Sequence, residues 1–331
     1  MHYLRAESLG GWLDEQTAKY FAIYAEICFA SFGNRVKKWI TINEPLQTAV
    51  NGHCTGIHAP GRRESSSTEP FTISYWHMQK LFLSIGINLS VLYLQDEQGE
   101  EIGLVVDCEW PEALSDNLED KAAAKGTLIF SLDGTSCYIL VPVLVSQEFV
   151  LHVYNQYKVS AVNFLFYVWE IIGRHLDPIY FGDYPKSMRE RLGDRLPKFS
   201  QQERELLKDS LDFIGLNHYT SKFVGHATNS LEENDFYKIQ DVEIIAEWGG
   251  GEVIGQKAAS SWLYMVPWEI RKVLNHIAER YGNPPVYITE NGMDDEDEDT
   301  SPLHEMLDDK LRVSYFKAYL ASIHQAILDG C

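Results

Sequence analysis

Basic residues are scarce: 28 Lys and Arg stand against 48 Asp and Glu in 331 residues, a formal net charge of −20. A surplus of this sign is repelled by phosphate backbones and anionic lipids, which excludes nucleic acid and membrane surfaces as partners. Cysteine is also sparse. The five, Cys28, Cys54, Cys108, Cys137 and Cys331, are odd in number and far apart, a pattern that supports neither a disulfide framework nor a zinc site. Among the apolar runs, Tyr138 to Val145 and Phe164 to Trp169 both fall short of the ~20 residues that cross a bilayer. No signal peptide leads the sequence, and internal repeats and low-complexity tracts are absent. His53, His58 and His218 lack metal-ligand spacing, so no metal or cofactor is implied. The acidic run Asp294 to Asp299 reads as a solvated loop, because it lacks the glycine and the closing Glu of an EF-hand.

What is present suits a globular enzyme. With 45% hydrophobic and 12% aromatic residues, the chain can bury the core of one α/β barrel or of two smaller domains. Phe21, Tyr24, Ala25, Cys28, Phe29 and Phe32 recur at helical spacing up to Gly33, and Trp39 to Ile42 then read as a strand. Further strands are expected at Ile102 to Val106, around Ile214 and Leu216, and at Val286 to Thr289. Ile270, Val273, Leu274, Ile277 and Tyr281 mark a helix before the last of these, and Leu307, Leu311, Tyr315, Tyr319, Ile323 and Ile327 mark one after it. Strands alternating with helices predict a parallel sheet whose chemistry lies at the C-terminal strand ends.

Two short phrases end in carboxylates at such positions: Thr41-Ile42-Asn43-Glu44-Pro45 and Tyr287-Ile288-Thr289-Glu290-Asn291-Gly292. Together, and in this order, they resemble the signatures of the retaining β-glucosidases of glycoside hydrolase family 1. The resemblance implies a (β/α)8 TIM barrel and a hydrolase that cleaves β-D-glucosides or short β-linked oligosaccharides, with Glu44 as acid/base and Glu290 as nucleophile. Breaking a glycosidic bond with retention needs such a pair, one carboxyl to protonate the leaving oxygen and one to attack the anomeric carbon. The charge of Glu290 is expected to keep Glu44 protonated. By the same resemblance Asn43 holds the sugar 2-hydroxyl. Tyr219, in Asn217-His218-Tyr219, bonds the nucleophile, and Asn217 supports from the same strand.

The resemblance covers only part of the family pattern. The strands present correspond to four to seven of the eight, so an incomplete barrel is expected, as a single domain over 1–331. Residues 71–93 depart from it: back-translating Tyr75 to Phe82 in a shifted frame permits Leu-Ala-His-Ala-Glu-Ala-Val, a phrase that family members carry there. Residues 135–174 read as a translated intron, following a short helix expected near Asp120 to Leu132. Two functions stay open: a β-glucosidase-type hydrolase, or a catalytically inactive remnant that binds sugar weakly. The residues set neither compartment nor oligomeric state.

Overall fold

A computed structural model of the protein describes residues 11–53, 56–61, 100–114, 128–132, 135–141, 160–162, 167–186, 188–189, 193–226, 242–246, 253–296 and 302–331. The strands are β1 (Lys38–Asn43), β2 (Glu101–Asp107), β3 (Glu112–Ala113), β4 (Leu128–Leu132), β5 (Thr135–Val141), β6 (Ser160–Val162), β7 (Phe213–Asn217), β8 (Phe223–His226), β9 (Val242–Ile245), β10 (Gln256–Lys257), β11 (Tyr264–Met265) and β12 (Val286–Glu290). The α-helices are α1 (Glu15–Phe32), α2 (Pro45–His53), α3 (Tyr167–Phe181), α4 (Gln201–Leu207), α5 (Pro267–Tyr281), α6 (Leu303–Met306) and α7 (Lys310–Asp329). Among the described residues no helix is long and apolar enough to cross a membrane. The expected out-of-frame segment 71–93 lies outside the described residues.

The chain folds as two compact units, each built from three stretches of sequence. The first comprises residues 1–108, 172–218 and 277–290, and its centre is a parallel sheet in the order β1-β2-β7-β12. The two inner strands are sealed: all of β7 and the middle five residues of β2 are buried. Strands covered on both faces carry continuous apolar runs, here Ile-Gly-Leu-Val-Val and Phe-Ile-Gly-Leu. The outer strands are half open, and Ile40 of β1 and Tyr287 of β12 are exposed. Among the described residues the barrel is not closed, and β1 and β12 stand as the edges of the sheet.

Two glycines set the packing of the inner strands. A Cβ at Gly103 would run into the Phe213 ring, and one at Gly215 would lie 2.5 Å from Val105 Cγ2 and 3.1 Å from Thr289 Cγ2. The side chains of neighbouring strands fill the space those glycines leave. Helix α1 opens on Asp14, whose carboxylate accepts from the Gln16 amide at 2.8 Å, and it buries Ala18, Ala22, Ala25 and Phe29 along one face. Phe29 meets Trp39 of β1 edge-on at 4.9 Å, which carries the packing of α1 onto the sheet.

Helix α3 runs unbroken through residue 174, the expected limit of the foreign segment, and Ile172, Arg174, His175 and Leu176 are all buried. Its Asp177 accepts from Tyr281 Oη at 2.8 Å and from Arg280 Nε at 3.0 Å, at the end of α5. Burial pushes the Asp177 carboxyl up, and the Arg280 guanidinium works against that shift. Helix α4 begins with a capping box in which Ser200 and Glu203 exchange bonds.

The second unit comprises residues 109–171, 219–276 and 291–331. It contains the sheet β3-β8-β9, the antiparallel pair β10-β11 and a separate antiparallel sheet β5-β4-β6. Leu128–Leu132, where the sequence suggested the end of a short helix, is strand β4, paired on both sides. Tyr315 and Tyr319 of α7 are buried and stacked with centroids 4.1 Å apart, and both hydroxyls donate to the Tyr219 carbonyl, at 2.9 and 2.8 Å. Leu307 falls outside α7, because Asp309 caps the helix by accepting from the Arg312 amide.

Candidate active site

Four parallel strands end on the same side of the sheet in the first unit, and each end carries a polar group: Asn43 on β1 with Glu44 just after it, Asp107 on β2, Asn217 on β7 and Glu290 on β12. Ligand chemistry in parallel α/β folds gathers at such C-terminal ends. The register shifts in both glutamate-bearing strands, between Ile40 and Asn43 in β1 and between Ile288 and Glu290 in β12. Bulges of this kind re-aim side chains beside a site.

The backbone at Glu44 is unusual. Its φ of +47° lies in the left-handed region, which disfavours any residue with a Cβ. Two bonds hold it there. The Glu44 amide donates to the Val105 carbonyl at 3.0 Å, and the Thr48 amide donates to the Glu44 carbonyl at 3.2 Å, so Glu44 is both the last link to β2 and the start of α2. Pro45 follows at the first helical position, where its missing N–H costs nothing.

Asn217 joins these groups. Its side-chain amide donates to Glu44 Oε1 at 2.7 Å and to Asn43 Oδ1 at 3.1 Å, and its Oδ1 accepts from the Thr289 hydroxyl at 2.6 Å. Every hydrogen-bonding group of that amide except one lone pair is thereby used. The exposed Asn43, held through its oxygen, keeps its amide N–H groups as donors. Glu290 is the register partner of Asn217, and its carbonyl accepts from the His218 amide at 3.1 Å. His218 is buried, and burial pushes its imidazole down to about 4, so the ring is neutral near pH 7.

Electrostatics separate the carboxyls. Burial raises Glu44 above the ordinary carboxylate range, the Asn217 bond opposes this, and the charges of Asp107 and Glu290 raise it further. Thus the expected influence of Glu290 on Glu44 is present, behind burial and behind Asp107. Asp107 is itself raised by burial, against a bond from Gln47, its own backbone amide and the Arg174 charge, and is raised again by Glu290.

Of the residues singled out from sequence, Asn43, Glu44, Asn217 and Glu290 come together in the first unit. Tyr219 belongs to the second unit, where its carbonyl receives Tyr315 and Tyr319 and its ring meets Trp262 edge-on at 5.9 Å. Sequence reasoning passed over Asp107, Gln47 and Thr289. The signal for Asp107 was an apolar run, Leu104-Val105-Val106, that ends in a carboxylate as the two glutamate phrases do. Among the described residues no group of His, Cys, Asp and Glu could hold a metal ion.

A family model described as Glycosyl hydrolase family 1 matches residues 3–140 and 154–331, passing over 141–153. Beta-glucosidase 42 of Arabidopsis thaliana is 46% identical over 325 residues, which cover 98% of this chain and 58% of that protein. Beta-glucosidase 4 of Oryza sativa subsp. japonica is 46% identical over 324 residues with the same two shares. The chain thus spans less than two thirds of the length of these curated relatives. A crystal structure of a rice β-glucosidase superposes with a TM-score of 0.81 at 33% identity, covering 98% of this chain and 62% of that one. A mutant of it solved in a covalent complex with Glc matches equally well.

Proposed function

This chain belongs to glycosyl hydrolase family 1, and from that premise we propose that its strand-end cluster is the active site of a retaining β-glucosidase acting on β-D-glucosides or short β-linked oligosaccharides. The observation that carries the reading is the pair of Glu44 and Glu290, which stand at the ends of two strands of one parallel sheet, with the charge of Glu290 raising Glu44. Glu44 is the acid/base: burial and neighbouring negative charge keep a proton on it, as protonation of a leaving oxygen requires. Glu290 is the nucleophile. Its carboxylate attacks the anomeric carbon as the aglycone departs with the Glu44 proton, and water, deprotonated by Glu44, then releases the sugar with its configuration retained. The covalent complex with Glc in the rice relative supports this two-step course.

Asn43 offers its amide hydrogens to the sugar 2-hydroxyl, and Asn217 fixes both Asn43 and the Glu44 carboxyl. Incubation with a 2-deoxy-2-fluoro-β-glucosyl fluoride tests the assignment, because the slowed second step lets a glycosyl-enzyme accumulate. Peptide mass spectrometry should find the adduct on Glu290 and none in Glu290→Gln. An adduct on another residue would remove Glu290 from the nucleophile role.

A second reading is supported by the open sheet with exposed Ile40 and Tyr287 at its edges: an inactive remnant that binds sugar weakly. Under it, residues 71–93 and 135–174 are segments foreign to a family barrel within a single glycosidase domain. The discriminating assay is hydrolysis of 4-nitrophenyl β-D-glucoside by the 331-residue chain, read against a Glu290→Gln control. Turnover above the control supports the hydrolase; equality supports the remnant.

A further inference from the structure

The site holds three carboxyls, and the proposed chemistry uses two of them. The third, Asp107, ends β2 as the register partner of Asn217, the residue that grips Glu44. Its Oδ2 accepts from Gln47 Nε2 at 2.8 Å, and Gln47 is steadied in turn by Asn51 Nδ2, which donates to Gln47 Oε1 at 2.6 Å. Gln47 lies in the first turn of α2, three residues beyond Glu44, so this chain of amides ties the helix that starts at Glu44 to the end of the neighbouring strand. Asp107 Oδ1 is shut off from solvent and receives no hydrogen bond from any other described residue. Nothing in the strand itself requires a carboxylate here.

We infer that Asp107 is a positioning residue of this site: through Gln47 it anchors the start of α2, the helix that opens at Glu44, from the end of the neighbouring strand. The inference rests on the reading of Glu44 as the acid/base. Three charged groups act with Asp107, namely Glu44 after β1, Glu290 on β12 and Arg174 on α3, and its polar neighbours Gln47 and Asn217 are neutral. Arg174 and the Gln47 donor both favour an ionised Asp107, whereas Glu44 has the Asn217 amide alone. Burial is the largest influence on both carboxyls and raises both, and the charge of Asp107 raises Glu44 further. Like charges sharing a site cannot all ionise without penalty, so the carboxyls titrate as a set.

Nuclear magnetic resonance of the full chain labelled with carbon-13 in the Glu and Asp carboxyls tests this without turnover. Glu44→Gln, Asp107→Asn and Glu290→Gln supply the assignments. Asp107→Asn keeps a carbonyl for Gln47 and removes the charge; Glu44 should then titrate at lower pH than in the parent. In Glu44→Gln the side chain is neutral, as the protonated Glu44 is, so the Asp107 titration should stay where it is in the parent, which gives a second readout if Asp107→Asn folds poorly. Asp107→Ala, which also loses the Gln47 bond, should lower the melting temperature more than Asp107→Asn does. A Glu44 titration unmoved by Asp107→Asn, or an Asp107 titration lowered by Glu44→Gln, which would mean that Glu44 ionises first, overturns the inference. If Glu44 moves and Asp107 does not, while the parent fails to hydrolyse 4-nitrophenyl β-D-glucoside, the carboxyl coupling stands and the hydrolase reading falls alone.

Discussion

Asn217→Ala is the most informative single perturbation, because one amide holds three other side chains. The substitution deletes bonds to Glu44 Oε1 at 2.7 Å, to Asn43 Oδ1 at 3.1 Å and from Thr289 Oγ1 at 2.6 Å. A hydrogen bond to a charged group contributes about 1.5–3 kcal/mol and a neutral one about 0.5–1.5 kcal/mol. Asn43 is exposed and Thr289 is partly so, which lets water replace Asn217 there and leaves the Glu44 bond as the main loss. A destabilisation of about 3 kcal/mol at alkaline pH is expected. Its pH dependence carries the stronger test. The folded-state value of Glu44 is raised, so as pH climbs from the unfolded value toward the folded one, the folded state retains a proton that the unfolded state has lost, and stability falls across that window. Asn217 donates to the ionised carboxylate and narrows the window; deleting it widens the window and deepens the loss at high pH. Urea unfolding of the parent, Asn217→Ala, Glu44→Ala and the double variant, at a series of pH values, isolates the pair. The coupling should grow with pH. A loss under about 0.5 kcal/mol, the level of an ordinary surface change, or a coupling flat in pH, would refute the assigned grip on Glu44.

Other substitutions probe separate parts of the structure. In a preparation that turns over, Glu44→Ala should slow substrates with poor leaving groups far more than activated aryl glucosides, which need little protonation; equal losses on both, measured as kcat/KM, would take Glu44 out of the acid role. Glu269 is wholly buried, with Lys272 Nζ 3.0 Å away, and burial still pushes its carboxyl up from 4.5 to about 8. Because the folded value is raised, stability is lost as pH rises from 4.5 to about 8; Glu269→Gln should remove that slope, and melting temperatures across this range should converge on the parent's at the acid end and exceed them at the alkaline end. Gly215→Ala would place a methyl 2.5 Å from Val105 Cγ2 and beside Thr289, so it should cost about 1–3 kcal/mol in urea unfolding, with no such cost at Gly292, where the nearest atom, Phe316 Cζ, lies 3.9 Å away.

Much of the parallel sheet was legible because its strands announce themselves in composition. The runs that became β2 and β7 are apolar at nearly every position, as sealed strands must be, and the glutamate phrases follow apolar stretches of the same kind. Short runs were less readable: Leu128 to Leu132 suits a helix turn or a strand equally well, and its pairing with β5 and β6 decides the matter. The last helix was placed too early at Leu307, although Asp309 with Arg312 after it supplies a start signal. Through-space relations were beyond reach. Asn217 and Glu44 are 173 residues apart, and only the register of β7 beside β2 brings the amide onto the carboxylate.

Glu44 shows why a site can contradict the local rules that reveal the rest of a fold. A left-handed residue at a strand end is ordinarily glycine, asparagine or aspartate, and the sequence has glutamate there, so local preference alone would never assign that conformation. Structure overrides preference through the bonds to Val105 and from Thr48 and through the rigid proline that follows. Strain held by its surroundings marks a position chosen for where it puts a side chain. Here it puts a carboxyl against the Asn217 amide and within the field of Asp107 and Glu290, and a residue better suited to the backbone would lack either the acid or the reach.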